Sequence, residues 1–419
     1  MTANIIAQKM VFGGDCIAKI DGKTVFVPYA VPGENLDVEI TEDAGDFFRA
    51  KIIKINEASP HRVTPPCPYY MKCGGCTMMH IESTFQEKLR TEMIYDAFNR
   101  EHVEVPKIEV IKAESLGYRA RFQLNGGGFM KAKSNDVIPV TKCLCATDEM
   151  NKYLAEVPFE ERPKGRIHVF ASDKIASIPD GFDKIIIADE PASGAKKNFK
   201  KAQKAQRFTA NGRLMPTPKK IAERFEGSVI NPHNRCSVKL GGKTIDYDVQ
   251  GFFQSNLDVL EKALPYVTEG LSGKNALDVY AGCGTLSVFL SDIFENVCLV
   301  EHNKSAVVYA EQNLAGKKHV SFGLSGEVFF KYHADGFIKQ HGEFDAVIID
   351  PPRSGMEKEV CSWLCKNRVK KIRSISCNAA TFARDAAKLI NAGYRMTRLF
   401  LLDFYPQTSQ IETLAWFEG

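Results

Sequence analysis

Three short runs near the C-terminus carry side chains that could do chemistry together: Asp350-Pro351-Pro352-Arg353-Ser354-Gly355, Ser376-Cys377-Asn378, and Pro406-Gln407-Thr408 leading to Glu412. They read as a binding turn, a thiol nucleophile and a carboxylate base. Cys377 taken alone reads as a buried core cysteine, the usual fate of a free thiol. With an acidic Pro-Pro turn and a nearby glutamate as company, the catalytic reading gains over the structural one.

Such groups need elements to position them. Residues 276–290, Ala-Leu-Asp-Val-Tyr-Ala-Gly-Cys-Gly-Thr-Leu-Ser-Val-Phe-Leu, predict an apolar strand, a turn at Gly282 and Gly284, and the start of a helix. Glycines there let the backbone approach a ligand without a Cβ clash. About 20 residues on, Cys298-Leu299-Val300-Glu301 ends a second strand in an acid, the spacing at which a carboxylate grips ribose hydroxyls. Asp350 ends a later strand, Phe344-Asp345-Ala346-Val347-Ile348-Ile349, and Cys377 another that follows Val369-Lys370-Lys371-Ile372. Open α/β sheets bind ligands at such carboxyl ends. The glycine run lacks the third glycine of the dinucleotide fingerprint, and no P-loop lysine follows. Together these features resemble a class I S-adenosylmethionine-dependent methyltransferase.

The cysteine selects the substrate. C5 of uracil is a poor nucleophile, and a thiolate adding at C6 turns C5 into an enolate carbon that can attack a methyl sulfonium. The C5 proton must then leave, which calls for a carboxylate base. With those residues in view, the chain resembles the RNA 5-methyluridine methyltransferases, specifically the iron-sulfur 23S ribosomal RNA uracil-C5 methyltransferases with an N-terminal TRAM domain. The resemblance implies Cys377 as nucleophile, Glu412 as base, Gln254 as a contact to cofactor or target base, Tyr280, Thr285 and Glu301 as lining of the S-adenosylmethionine pocket, and Asp350 at the site. Two positions depart from the family pattern: Ala379 stands where Pro is usual, and Gln410 where His is common. Competing classes fit less well. An RNA cytosine-C5 enzyme would carry a Cys in the Asp-Pro-Pro-Arg turn, and an exocyclic-amine methyltransferase an aromatic where Arg353 stands. A transfer RNA uracil-C5 enzyme stays open, as does a non-catalytic iron-sulfur RNA-binding protein, which would tolerate loss of Cys377 or Glu412.

A separate group of thiols lies upstream. Cys67, Cys73 and Cys76 follow a Cys-x5-Cys-x2-Cys pattern with Gly74-Gly75 between them, and Cys143 offers a fourth ligand with Cys145 as its competitor. Thiolates so spaced bind soft metals, and four cysteines also suit tetrahedral zinc, which spacing alone favours. The family resemblance implies a [4Fe-4S] cluster on Cys67, Cys73, Cys76 and Cys143. The spacing does not match the Cys-x3-Cys-x2-Cys of radical S-adenosylmethionine enzymes.

Composition agrees with a cytoplasmic enzyme. The chain has 419 residues, 44% hydrophobic and 25% charged, enough for two or three domains. No apolar run approaches membrane-spanning length, and Met1-Thr2-Ala3-Asn4 opens no cationic and apolar leader. Its 12 cysteines read as metal and catalysis in a reducing compartment rather than as a disulfide frame. A net charge of +4 is mild, but the stretch from Lys196 to Arg224 holds ten Lys and Arg against the single acid Glu223. That block predicts either a solvated loop or phosphate contacts to RNA. No obligate protein partner is evident.

The expected architecture is multidomain. Residues 1–57 hold short alternating runs broken by Gly13-Gly14, Asp21-Gly22 and Pro32-Gly33, a small oligonucleotide-binding-like β-barrel resembling the TRAM domain. It is slightly acidic, so a structural role competes with RNA binding. Residues 58–256 form a β-rich central domain with the iron-sulfur site and an RNA-binding surface; its helix from Ser83 to Arg100 is open to packing on the catalytic domain instead. Residues 257–419 alternate strands with helices near 257–267, 305–314 and 379–392, a Rossmann-like α/β methyltransferase domain.

Overall fold

The computed structural model describes residues 1–177, 184–189 and 234–419, and the basic block from Lys196 to Arg224 lies outside the described residues. Alternation governs the N-terminal part. In Lys23–Pro28 and Asn35–Asp43, Val25, Val27, Leu36 and Val38 point inward and their neighbours outward, the period-two pattern of a sheet with one buried face. Six strands assemble in the order Thr2–Ile6, Asn35–Asp43, Phe47–Glu57, Lys23–Pro28, Asp15–Ile20, Lys9–Met10.

The middle of the chain is β-rich, with two three-stranded sheets among the described residues. One runs Ile185–Asp189, Arg166–Ala171, Arg121–Asn125; the other runs Ile175–Ser177, Arg235–Leu240, Lys243–Asp248. Two elements of the same stretch belong elsewhere. Helix Ser83–Arg100 buries Leu89, Met93, Ile94, Ala97 and Phe98 along one face, and its Phe98 meets Phe382 of helix Ala379–Asn391 edge-on at 5.4 Å. Strand Ile108–Ile111 becomes the edge of the C-terminal sheet, parallel to Arg395–Leu402. The catalytic layers therefore recruit chain from well before residue 257.

That C-terminal sheet has eight strands, ordered His319–Phe322, Phe294–Val300, Gly273–Val279, Ala346–Ile349, Lys371–Ser376, Thr413–Glu418, Arg395–Leu402, Ile108–Ile111. Continuous burial of Val297–Val300 and Ala346–Ile349 reflects helices on both faces, as parallel sheets require. Only Thr413–Glu418 runs against its neighbours, pairing antiparallel with both Lys371–Ser376 and Arg395–Leu402.

A buried ion pair joins the long helix to the loop that precedes this reversed strand. Arg90, 2% exposed, donates from both terminal nitrogens to the two oxygens of Asp403, at 2.7 and 3.0 Å, and to the Tyr405 carbonyl. Removing one partner strands the other charge. Arg90→Leu should lower unfolding free energy by about 3–5 kcal/mol in urea titration, and adding Asp403→Leu should restore most of the loss. A single variant within about 1 kcal/mol of the parent, or a double variant worse than the single, would refute that account.

Candidate active site

Register, more than proximity in sequence, builds the site. Ser376 and Thr413 are direct partners across the reversed strand, so the next residue outward on one strand, Cys377, stands beside the preceding residue on the other, Glu412. Asp350 leaves strand Ala346–Ile349, the neighbour of Lys371–Ser376 on the opposite side. A thiol and two carboxyl groups thus meet at one end of the sheet.

Local chemistry fixes the thiol's turn. Asn378 caps helix Ala379–Asn391 by accepting from the N–H groups of Ala380 and Thr381 at 3.0 and 3.4 Å, while its Nδ2 donates to the Arg353 carbonyl at 3.2 Å. The capping residue thereby ties the turn of Cys377 to the Asp-Pro-Pro-Arg turn. Ala379 occupies the first helical position, where a backbone N–H has no helical acceptor in any case. Ala there leaves the cap intact. Arg353 Nη2 donates to Gln410 Oε1 at 3.3 Å, so the Gln410 amide engages the turn.

Burial crowds the ionisable groups. Glu412 is 3% exposed, and burial, reinforced by the charge of Asp350 and opposed by Arg353, holds its carboxyl well above the usual range. Burial likewise pushes Asp350 up to about 7. Cys377 is pushed up to about 11 by burial first, then by the charges of Glu412 and Asp350, with Arg353 acting the other way. The three groups are therefore not all ionised together near neutrality.

Beside them lies a pocket reached by Gln254, Asp278, Tyr280, Gly282, Thr285 and Asp350. Gly282 and Gly284 adopt positive φ of 57° and 77°, and Tyr280, a non-glycine residue, sits at 66°. The Tyr280 hydroxyl faces Glu357, whose N–H it accepts at 3.2 Å. One Glu301 oxygen accepts from the Gly282 N–H at 3.0 Å and the other from the Asn303 N–H at 2.6 Å. Burial raises Glu301, but His302 and these two N–H groups outweigh it and leave the carboxylate below its ordinary range. Two buried oxygens facing this region have no partner among the described residues, Gln254 Oε1 and Asp278 Oδ1. Such orphans in a glycine-lined cradle suit a polar ligand that would satisfy them. Asp278 was not singled out from sequence. Its other oxygen accepts from Ser287 Oγ at 2.5 Å, and burial pushes it up to about 7; the available signal was an acid inside the apolar run Ala276-Leu277-Asp278-Val279.

The upstream thiols converge on a second, larger cavity of about 330 Å³, bordered by Cys67, Cys73, Cys76, Cys143 and Cys145. Cys76 Sγ and Cys145 Sγ are 3.7 Å apart. Asn151 grips Cys143, accepting from its N–H at 2.8 Å and donating to its carbonyl at 3.0 Å. As the side chains stand, no group of three or more His, Cys, Asp or Glu among the described residues is arranged to hold a metal ion.

Comparison with known proteins completes the description. The model of the tRNA (uracil-5-)-methyltransferase family matches residues 233–418, and that of the TRAM domain residues 5–53. An uncharacterized RNA methyltransferase of Treponema denticola is 34% identical over 98% of this chain and 97% of its own length. The 23S rRNA (uracil(1939)-C(5))-methyltransferase RlmD of Shewanella amazonensis is 28% identical over 98% of this chain and 94% of its own. Among solved structures, the Pyrococcus abyssi tRNA (uracil-54, C5)-methyltransferase in complex with S-adenosyl-L-homocysteine superposes with a TM-score of 0.68 at 19% identity, covering 99% of each chain.

The electrostatics predict a sluggish thiol. Iodoacetamide labelling of Cys377, followed by peptide mass mapping, should accelerate about tenfold per pH unit between pH 7 and 10, because only the thiolate reacts. Arg353→Gln should slow it throughout that range. A plateau below pH 8 would mean that the thiol is not raised in the free protein.

Proposed function

The chain belongs to the S-adenosylmethionine-dependent uracil-C5 RNA methyltransferase family, and on that premise we propose that it methylates a uridine of 23S ribosomal RNA through a covalent Cys377 adduct with Glu412 as base. The observation that carries this reading is the pairing of Ser376 with Thr413, which seats nucleophile and base side by side. The ribosomal target rests on relatives that match end to end; modification of transfer RNA instead is an outcome the test below separates.

In this reading Cys377 gives its proton to water and its sulfur adds to C6, moving the C5–C6 electron pair toward C5 and O4. S-adenosylmethionine, when bound, would supply the methyl group to C5, its sulfonium leaving as the neutral thioether. Gln254, Tyr280, Thr285, Glu301, Asp350 and Asp278 hold that ligand at the glycine turn. Glu412 then takes the proton from C5, the C5–C6 double bond re-forms, and the sulfur leaves as thiolate. Burial suits the base, because excluding water protects the adduct from stray protonation.

The thiol cavity fits a soft metal by its donor set, since thiols border it without a carboxylate or imidazole. We place a [4Fe-4S] cluster there, with Cys67, Cys73, Cys76 and Cys143 as ligands. Asn151 supports the choice of Cys143, because it fixes that residue's backbone from both sides. The residue spans 1–57, 58–256 and 257–419 serve as barrel, cluster-bearing and RNA-facing region, and methyltransferase domain, the last borrowing the Ser83–Arg100 helix and the Ile108–Ile111 strand. No helix among the described residues is long and apolar enough to cross a membrane. Cytoplasmic work is part of this proposal, since cysteines grouped for metal and catalysis belong to a reducing compartment.

Mass mapping of 5-methyluridine in ribosomal and transfer RNA, from cells with and without this gene, should show loss at a 23S site; loss only in transfer RNA would reassign the substrate. Cys377→Ala should abolish both methylation and adduct. Glu412→Gln should accumulate a denaturation-resistant protein–RNA adduct carrying the methyl, the state in which 5-fluorouridine RNA should trap the parent enzyme. Retained 5-methyluridine formation by Cys377→Ala would end the covalent mechanism.

Anaerobically purified protein should be brown and hold about four irons. Cys143→Ser should lose metal and Cys145→Ala should keep it. Colourless protein with stoichiometric zinc would exclude the cluster.

A further inference from the structure

The loop carrying Glu412 is held from outside the catalytic sheet. At its neck the Leu402 N–H donates to the Glu412 carbonyl at 2.8 Å, and midway the chain turns at Gln407 with φ of 67°. A left-handed backbone at a non-glycine residue persists only where its surroundings over-determine it. Here they do. The Gln407 carbonyl accepts from the N–H groups of Thr77 and Met78, both at 3.0 Å. Its own N–H donates to Gln86 Oε1 at 3.0 Å, and its side-chain oxygen accepts from Gln86 Nε2 at 2.9 Å. Gln86, 2% exposed, also donates to the carbonyls of Met78 and Ile81. Two residues on, the Ser409 N–H donates to Thr77 Oγ1 at 3.0 Å.

The strap that makes these bonds leaves the thiol cavity. Thr77 follows Cys76 directly, and Tyr118 and Thr408 line the same cavity; the Tyr118 hydroxyl donates to the Pro406 carbonyl at 2.9 Å. From the other side Gly14 of the N-terminal barrel presses on the loop, so closely that a Cβ there would meet Ser409 Oγ at 3.1 Å. None of these bonds reaches Cys377, Asp350 or the Glu412 carboxyl. They act on the loop's shape alone.

We infer that Thr77, Met78 and Gln86 are positioning residues for Glu412, and that the thiol cavity supports the reaction by anchoring this strap. The inference rests on Glu412 being the base. Addition by Cys377 uses a side chain at the end of a sheet strand and does not depend on the loop, whereas proton removal needs the carboxylate within hydrogen-bonding reach of C5. Displacing a reacting group by about 1 Å slows its step by as much as a hundredfold. Loosening the strap therefore slows elimination and spares addition.

The test is Thr77→Val, which keeps the shape and removes the acceptor used by Ser409, with Thr77→Ser as the conservative rescue. Adduct formation with 5-fluorouridine RNA should stay within about twofold of the parent, while release of methylated RNA slows about tenfold and methylated adduct accumulates. Amide exchange at Gln407 and Ser409 should quicken about tenfold, and Thr77→Ser should reverse both effects. Gln86→Glu, equal in volume but without the Nε2 donors, should act in the same direction. Equal slowing of addition and release, or an unchanged release rate, overturns the inference. Release at the parent rate by Glu412→Gln would instead overturn the base assignment. In Cys76→Ala, purified in parallel with the parent, exchange at Gln407 and Ser409 should also quicken; unchanged exchange there would show that the cavity does not anchor the strap, whatever metal is found.

Discussion

The pairing of one reversed strand with its parallel neighbour is the constraint on which the site depends. Had Thr413–Glu418 run with the rest of the sheet, its leading residue would lie at the opposite end from Cys377. Because it runs antiparallel, its beginning meets the end of Lys371–Ser376, and two residues from different connections face one another. A slip of a single residue would flip the side chains of the strand to the other face. Burial on both sides of the sheet makes that slip prohibitive, since Leu414, Ala415 and Phe417 have no exposure to lose.

Crowding acids and a thiol into that space has an electrostatic consequence. Desolvation penalises each charge and each charge penalises the next, so the Glu412 carboxyl and the Cys377 thiol are both held above their ordinary ranges. Arg353 is the cation that opposes both tendencies. Its backbone carbonyl receives the Asn378 amide and the Thr381 hydroxyl, and its guanidinium holds Gln410. The Asp-Pro-Pro-Arg turn, the turn of Cys377 and the loop that carries Glu412 are thus linked through one residue.

Support reaches the site from both remaining parts of the molecule. The barrel touches the base loop through Gly14, at a φ of 91° that only glycine adopts readily, and the thiol-bearing segment reaches it through Thr77 and Met78. Helix Ser83–Arg100 adds Gln86 and the Arg90–Asp403 pair. Sub-ångström placement of a catalytic carboxylate needs locked neighbours rather than a loop left to itself, and these contacts supply them.

Local chemistry was legible in the sequence because it is written over a few residues. Gly282 and Gly284 mark a turn wherever they occur between a strand and a helix, Cys67, Cys73 and Cys76 mark a thiol wrap, and period-two runs in residues 1–57 mark a barrel. Cys377 and Glu412 could be proposed as nucleophile and base by residue type and company. What joins them could not, since strand direction is decided by packing across the whole sheet. The same holds for Asp278, whose unpaired oxygen exists only because the fold buries it, and for Gln86, which looks like any polar helix residue until residue 407 folds back onto it. Helix Ser83–Arg100 and strand Ile108–Ile111 carry no mark of the sheet they join; the apolar surface available to cover them, assembled from segments hundreds of residues away, decided that.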